Sequence, residues 1–233
     1  MAAMTFEDIL KFNPYHDALG RFTTPNGGSA GSFKSISVKE ATKMKISMGQ
    51  DLDPYFDDDA KILKNQQSGY FGTRNSFDIN RKIRSGEELT AEEQKTVDTI
   101  DRLMAPLSEG VKVTRMATAS FMETIAKKEY SDLETCSPKD EGKCFEALKS
   151  AIVGGTVTES AYMSTSYDAS KNNFMKSRGV QIEINVPKGT KALFSPTDDE
   201  AEILLAKNTS YRIDNIINRG YGDITMEVTV IAA

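Results

Sequence analysis

The chain has 233 residues, of which 39% are hydrophobic and 27% are charged, and its formal net charge is −5. These values are those of a globular domain with a full core, and the acidic balance argues against nonspecific nucleic-acid binding, which needs a positive surface. No apolar run approaches the roughly 20 residues that span a bilayer, so we expect no membrane segment.

The N-terminal residues are predicted to form a tail. Residues 1–35 contain Asn13-Pro14 and Pro25-Asn26-Gly27-Gly28, which mark turns, and their apolar residues show no period. We therefore predict a flexible tail over 1–35 and one folded domain over 36–233. The segment 13–23 resembles a short segment of phage head-morphogenesis proteins and their fused modules, and a disordered leader is the alternative interpretation.

Helical signals dominate the first half of the folded part. Thr90-Ala91-Glu92-Glu93 is a capping box, in which the threonine oxygen and Glu93 satisfy free backbone amides. Apolar residues then follow at helical spacing up to Met104, and Pro106 ends the run. Further helices are predicted around 38–47, 117–129 and 142–152, whereas the acidic run 57–59 is interpreted as a solvated turn.

Strand signals dominate the last third. Residues 180–186 alternate strictly between apolar and polar side chains, as a half-buried strand does. Pro187-Lys188-Gly189 is a turn, and strands are also predicted at 191–194, 203–205, 210–217 and 223–231. Helices followed by antiparallel strands predict an α+β fold.

The histidine and cysteine content limits the possible chemistry. His16 is the one histidine and lies in the predicted tail, which argues against Ser-His and Cys-His catalysis. Cys136 and Cys144 allow a local disulfide, but free thiols are the expectation for a chain without a visible signal peptide. No His, Cys and Asp cluster has metal-ligand spacing, so we expect no metal.

Three short signals occur in a fixed order. Arg115 closes the strand-like run Val111-Lys112-Val113-Thr114, Ser164-Thr165-Ser166 follows 49 residues later, and Glu202 lies 38 residues beyond Ser164 in Glu200-Ala201-Glu202. This order and spacing resemble the Arg, Ser-Thr-Ser, Glu-x-Glu pattern of mono-ADP-ribosyltransferases of the clostridial binary-toxin type. The resemblance covers about 37–233 and implies two packed, mainly antiparallel β-sheets that form an NAD cleft, flanked by N-terminal helices.

The resemblance assigns roles to the two glutamates. Glu202 would stabilise the cationic ribose that forms when the nicotinamide bond of NAD breaks. Glu200 would engage the acceptor, and the two carboxylates share a face if the strand has begun by Glu200. A glutamate in the first position goes in the family with arginine as acceptor, because a carboxylate pairs with a guanidinium and accepts its proton. The acidic loop 195–199 before them resembles the family's acceptor-recognition turn, although Thr197 replaces an aromatic residue.

The remaining roles concern NAD binding. Arg115 would hold the phosphates, although Met116 replaces the glycine that often follows. Ser164 would hydrogen-bond Glu202, and Thr165 and Ser166 would support the nicotinamide pocket. Phe174 and Arg178, in the loop after this strand, are candidates for nicotinamide stacking and a second phosphate contact.

The sequence thus predicts an NAD-dependent transferase whose partner is a target protein with an exposed arginine. An NAD glycohydrolase with the same site is one alternative, and a non-enzymatic phage head-associated module is the other. The location follows from the origin of the chain: host cytoplasm or virion for a phage protein, and non-classical secretion for a toxin.

Overall fold

A mixed sheet forms the centre of the computed structural model, which describes residues 33–72, 74–171, 179–197, 201–220 and 223–231. Nine strands join in the order β1-β6-β7-β4-β2-β5-β9-β8-β3. Neighbouring strands are antiparallel except β5 and β9, which are parallel. The strands are β1 Ala105–Pro106, β2 Val111–Ala117, β3 Thr156–Glu159, β4 Met163–Ser166, β5 Val180–Val186, β6 Lys191–Phe194, β7 Glu202–Leu205, β8 Thr209–Gly220 and β9 Asp223–Val230.

The sheet consists of two halves that meet at one residue pair. Strands β1, β6, β7 and β4 form one half, strands β2, β5, β9, β8 and β3 form the other, and Thr114 opposite Ser166 joins them. Buried residues of both halves, such as Ile203 and Ile184, belong to the same apolar core. The α+β class is therefore confirmed, while the two sheets implied by the family resemblance are linked here into one.

The described residues also form six helices. They are α1 Val38–Ser47, α2 Asp58–Leu63, α3 Asn75–Ser85, α4 Ala91–Leu103, α5 Ala119–Thr135 and α6 Glu141–Ile152. A second apolar cluster joins α2, α3 and α4 to the outer side of β6 and β7 through Leu63, Ile79, Ile100, Leu193 and Leu204. None of these helices has the length and hydropathy needed to span a bilayer.

The predicted capping box begins α4. Thr90 Oγ1 accepts the backbone N–H of Glu93 at 3.2 Å, and Glu93 Oε2 accepts the N–H of Thr90 at 2.7 Å. The same carboxylate oxygen pairs with Lys82 Nζ of α3 at 2.6 Å. The cap therefore fixes both the start of α4 and its contact with α3.

Two helices and one strand differ from the prediction. The acidic run at 57–59 is no turn, because Asp57 is the N-cap of α2 and the next two aspartates form its first turn, where carboxylates interact favourably with the helix dipole. Helix α3 begins after Arg74 without a side-chain cap, and so lacks the usual starting signal. Strand β3 follows two glycines and pairs with β8 at the sheet edge.

The expectation of free thiols was wrong. Cys136 ends α5 and forms a disulfide with Cys144 of α6. The intervening turn brings the ends of the two helices together, so that a local crosslink closes the hairpin.

The last residues of the predicted tail, 33–35, contact the folded part of the chain. Lys34 pairs with Val111 in a parallel bridge, and Ile36 is buried in the main core. Residues 33–35 are therefore fixed against β2. The earlier part of the tail, including the segment 13–23, lies outside the described residues.

Candidate active site

Glu202 and Ser164 are joined by a hydrogen bond across two neighbouring strands. Glu202 begins β7 and lies opposite Ser166 of β4, while Ser164 lies opposite Leu204. Ser164 is thus the diagonal neighbour of Glu202, within side-chain reach. Its Oγ donates to Glu202 Oε1 at 2.5 Å, and Glu202 is 8% exposed. The serine therefore orients a buried carboxylate, as the sequence predicts.

Arg115 connects to the same strand from the other half of the sheet. Arg115 belongs to β2 and lies opposite Ile182 of β5. Its Nη1 donates to the backbone oxygen of Ser164 at 3.1 Å. Burial lowers the pKa of the Arg115 guanidinium, and the nearby Glu159 carboxylate opposes this effect. Arg115, Ser164 and Glu202 thus lie in one continuous series of contacts.

Thr165 and Ser166 stabilise the backbone around this series. Thr165 Oγ1 donates to the backbone oxygen of Ile203 at 2.6 Å. Ser166 Oγ donates to the backbone oxygen of Asp168 at 3.0 Å and accepts its N–H at 3.2 Å. These bonds hold β4 against β7 and fix the turn after β4. Their proposed support of a nicotinamide pocket stays a prediction.

Two residues that the sequence analysis missed lie close enough to Arg115 to affect its pKa. Arg84, in the last turn of α3, makes a bidentate ion pair with Glu159 at the end of β3, with N–O distances of 2.9 and 3.1 Å. Arg84 lowers the pKa of Arg115 and Glu159 raises it, so the three charges interact. The one sequence signal for this region was Gly86, which indicates the end of the helix that carries Arg84. Gly86 ends α3 in the left-handed conformation with φ 70°.

A polar contact positions α3 against the site. Asn80 Nδ2 donates to the Tyr70 hydroxyl at 2.8 Å, and Asn80 Oδ1 accepts the backbone N–H of Tyr162 at 3.2 Å. Tyr162 directly precedes β4. Burial raises the pKa of Tyr70, and the Glu202 carboxylate adds to that rise. The helix that carries Arg84 is therefore tied to the strand that carries Ser164.

The condition under which Glu200 and Glu202 would share a strand face is not met. Strand β7 begins at Glu202, and Ala201 has a positive φ of 50°, so the extended period does not continue backwards. Ser195 donates its N–H to the Glu202 backbone oxygen at 3.0 Å, which closes the loop before β7. Glu200 lies outside the described residues, as do Phe174 and Arg178.

A polar cavity of about 400 Å³ lies on the outer face of β2 and β5. Ser166 and Tyr167 line one part of it, and Lys112 and Glu183 line another. Neither Arg115 nor Glu202 lines this cavity. The cavity nevertheless lies close to them, because Ser166, which lines it, is paired with Glu202 across the strands. Among the described residues, no group of three or more His, Cys, Asp and Glu side chains is placed to hold a metal ion.

Several solved structures share this fold. C3stau2 from S. aureus, determined with NAD, matches with a TM-score of 0.66 and 19% identity over 87% of this chain and 100% of that one. The Clostridium limosum C3 exoenzyme matches with a TM-score of 0.63 and 22% identity over 86% and 98%. Plx2a, an ADP-ribosyltransferase toxin from Paenibacillus larvae, matches with a TM-score of 0.62 and 26% identity over 83% and 94%.

The fold is thus that of the ADP-ribosyltransferases of the clostridial toxin type. A sequence profile described as ADP-ribosyltransferase exoenzyme matches residues 59–231, and the chain belongs to that family. The prediction of an ADP-ribosyltransferase and that of NAD as the ADP-ribose donor are confirmed. A comparison with curated protein sequences finds no match.

Proposed function

We propose that this enzyme transfers ADP-ribose from NAD to an arginine of a target protein and releases nicotinamide. One observation supports cleavage of the donor, NAD: the hydrogen bond of 2.5 Å between Ser164 Oγ and Glu202 Oε1. It lies next to the contact of Arg115 with Ser164. It holds a carboxylate in one orientation at a site that also contains a phosphate-binding type of side chain. The Glu202 carboxylate suits the positive charge that develops on the ribose, and the Arg115 guanidinium suits the negative charge of the pyrophosphate.

The chemical step follows from this arrangement. The bond between the nicotinamide nitrogen and C1′ of the ribose breaks, and its electron pair leaves with nicotinamide. Positive charge then develops on the ribose, as in glycoside cleavage. Glu202 stabilises that charge from a buried position, where a fixed carboxylate has its largest effect. Arg115 and Arg84 hold the pyrophosphate.

The transfer of ADP-ribose to an arginine acceptor depends on Glu200. An arginine nitrogen forms the new bond to C1′, and its proton passes to the Glu200 carboxylate, because a protonated guanidinium is a poor nucleophile. The net charge of −5 suits a basic target surface. The same proposal includes the tail over 1–35, the catalytic domain over 36–233, and the roles of Phe174 and Arg178 in NAD binding. It also includes the location, which is host cytoplasm or virion for a phage protein and non-classical secretion for a toxin.

NAD glycohydrolysis is the second candidate, and one observation favours it. Because β7 begins only at Glu202, strand alternation no longer supports a shared face for Glu200 and Glu202. Water needs no guanidinium-binding carboxylate and can trap the same cation.

Glu200→Gln separates the two candidates. We expect this variant to lose ADP-ribosyl-arginine formation while it keeps much of its NAD hydrolysis. Nicotinamide release and modification of a small guanidine acceptor are measured in parallel, and modified residues in a host lysate are mapped by mass spectrometry. Glu146→Gln, an exposed glutamate of α6, is the matched control. Equal loss of both activities would mean that Glu200 builds the donor site, and arginine specificity would lose its support.

A further inference from the structure

The carboxylate of Glu159 is held from two sides. Its Oε1 accepts the backbone N–H of Ala161 at 2.9 Å and the Nε–H of Arg84 at 2.9 Å. Its Oε2 accepts Nη2 of Arg84 at 3.1 Å. The Glu159 side chain is 16% exposed, whereas that of Arg84 is 42% exposed. A largely buried, backbone-anchored carboxylate therefore fixes the position of a more exposed guanidinium.

This pair leaves one edge of Arg84 open. The Nε and Nη2 edge is used by Glu159, and within the described part of the chain no hydrogen bond occupies Nη1. A guanidinium donates through more than one edge in a fixed plane. Arg84 therefore keeps donors for a second anion while Glu159 determines its plane.

The pair also acts on Arg115. Arg84 and Arg115 repel each other, and the Glu159 carboxylate attracts Arg115. Without a nearby carboxylate, two guanidiniums in a partly buried site would separate or recruit solvent anions. Glu159 thus offsets part of the repulsion between the two cations.

On the basis of the proposed function, we propose that Glu159 is a positioning residue of the NAD site. It holds Arg84 beside Arg115 and turns the open edge of Arg84 towards the pyrophosphate. The Ala161 N–H that anchors Glu159 belongs to the segment leading into β4, which carries Ser164. The same carboxylate therefore aligns the phosphate-binding side chains with the strand that orients Glu202.

The proposal and simple electrostatics predict opposite results. A carboxylate that is only a nearby negative charge weakens NAD binding, and its neutralisation would tighten it. A carboxylate that positions Arg84 strengthens binding, because ordering the guanidinium beforehand removes that cost from the binding step. Glu159→Gln removes the charge and keeps the shape, so the direction of the change decides between the two.

We expect Glu159→Gln to raise the Kd for NAD about tenfold, the size expected when a charged hydrogen-bond pair is lost. KM for NAD rises in parallel, while kcat stays within about twofold, because the lost contact serves ground and transition states alike. The Kd is measured by calorimetry and the rate constants by nicotinamide release. An unchanged or lower Kd overturns the proposal.

A double-mutant cycle tests whether Glu159 acts through Arg84. In an Arg84→Ala background, Glu159→Gln should no longer weaken NAD binding, since there is no guanidinium to position. Equal weakening in both backgrounds contradicts the proposal. Glu87→Gln is the matched control, because Glu87 forms an exposed ion pair of 2.5 Å with Arg81 of the same helix. It should leave the Kd unchanged.

Two further measurements keep the test decisive. If Glu159→Gln does not fold, as judged by circular dichroism, Arg84→Lys takes its place. That variant keeps the charge and loses the planar fork, so the same increase in Kd is expected and an unchanged Kd overturns the proposal. The wild-type protein is titrated with NAD first. Absence of wild-type binding contradicts the proposed function, whereas equal binding by wild type and Glu159→Gln contradicts this inference alone.

Discussion

At the scale of single residues, the site depends on where a few polar side chains lie on neighbouring strands. Ser164 and Glu202 meet because they are diagonal neighbours in an antiparallel pair. A buried carboxylate is unfavourable unless it is hydrogen-bonded, and the 2.5 Å contact supplies one such bond. The strand register therefore determines whether the Glu202 carboxylate has a defined orientation.

Glu202→Gln is expected to abolish both transfer and NAD hydrolysis. The amide keeps the size of the side chain but removes the charge that faces the cationic ribose, and loss of such a stabiliser costs on the order of 10²-fold or more in kcat. Nicotinamide release at saturating NAD measures the effect.

Ser164→Ala provides a graded comparison for this prediction. It leaves the Glu202 charge and removes the hydrogen bond that orients it, so its loss of kcat should be smaller. NAD turnover close to that of wild type in Glu202→Gln would remove Glu202 from the catalytic role.

The residues that could be predicted were those in a recognisable order. The sequence pattern identified Arg115, Ser164 and Glu202, and the structure brings these three together. Arg84 and Glu159 could not be found in this way, because they are 75 residues apart and their contact exists only after α3 and β3 have folded. A bidentate ion pair leaves no periodic trace in the sequence.

At the scale of elements, predictions succeeded where local signals agreed with the tertiary environment. The alternating run at 180–186 coincides with β5, since its apolar side faces the core and its polar side faces outward. The capping box at Thr90 begins α4. Helix α2, with 6 residues, and helix α3, with an uncapped start, depend instead on the apolar cluster shared with β6 and β7.

Thr90→Ala should lower the free energy of unfolding by about 1 kcal/mol, because the N-cap oxygen satisfies an amide of the first turn of α4. Thr118→Ala is the matched control. Thr118 is the N-cap of α5 but makes no side-chain cap hydrogen bond, so its replacement should cost less. Urea unfolding of both variants checks the difference. Equal costs would show that the Thr90 cap contributes nothing beyond the side chain itself.

At the scale of the whole molecule, the site combines elements that are distant in sequence. Helix α3 carries Arg84, β2 carries Arg115, β4 carries Ser164 and β7 carries Glu202. The two halves of the sheet meet at Thr114 and Ser166, next to two of these residues. Arg115 and Glu202 therefore lie at the junction of the halves, where a sequence pattern indicates the members but not their contacts.

Deletion of residues 1–30 should leave a folded and active enzyme. The deleted segment shows no periodic apolar face, the family profile matches only from residue 59, and Lys34 and Ile36, which contact the folded part, are retained. Deletion of 1–36 is the control, because it removes the buried Ile36 and should cost about 2 kcal/mol or more of unfolding free energy. Urea unfolding and nicotinamide release measure both proteins. Loss of cooperative unfolding in the shorter deletion would show that residues 1–30 belong to the core, whereas equal stability of the two would show that the chain before α1 contributes nothing to it.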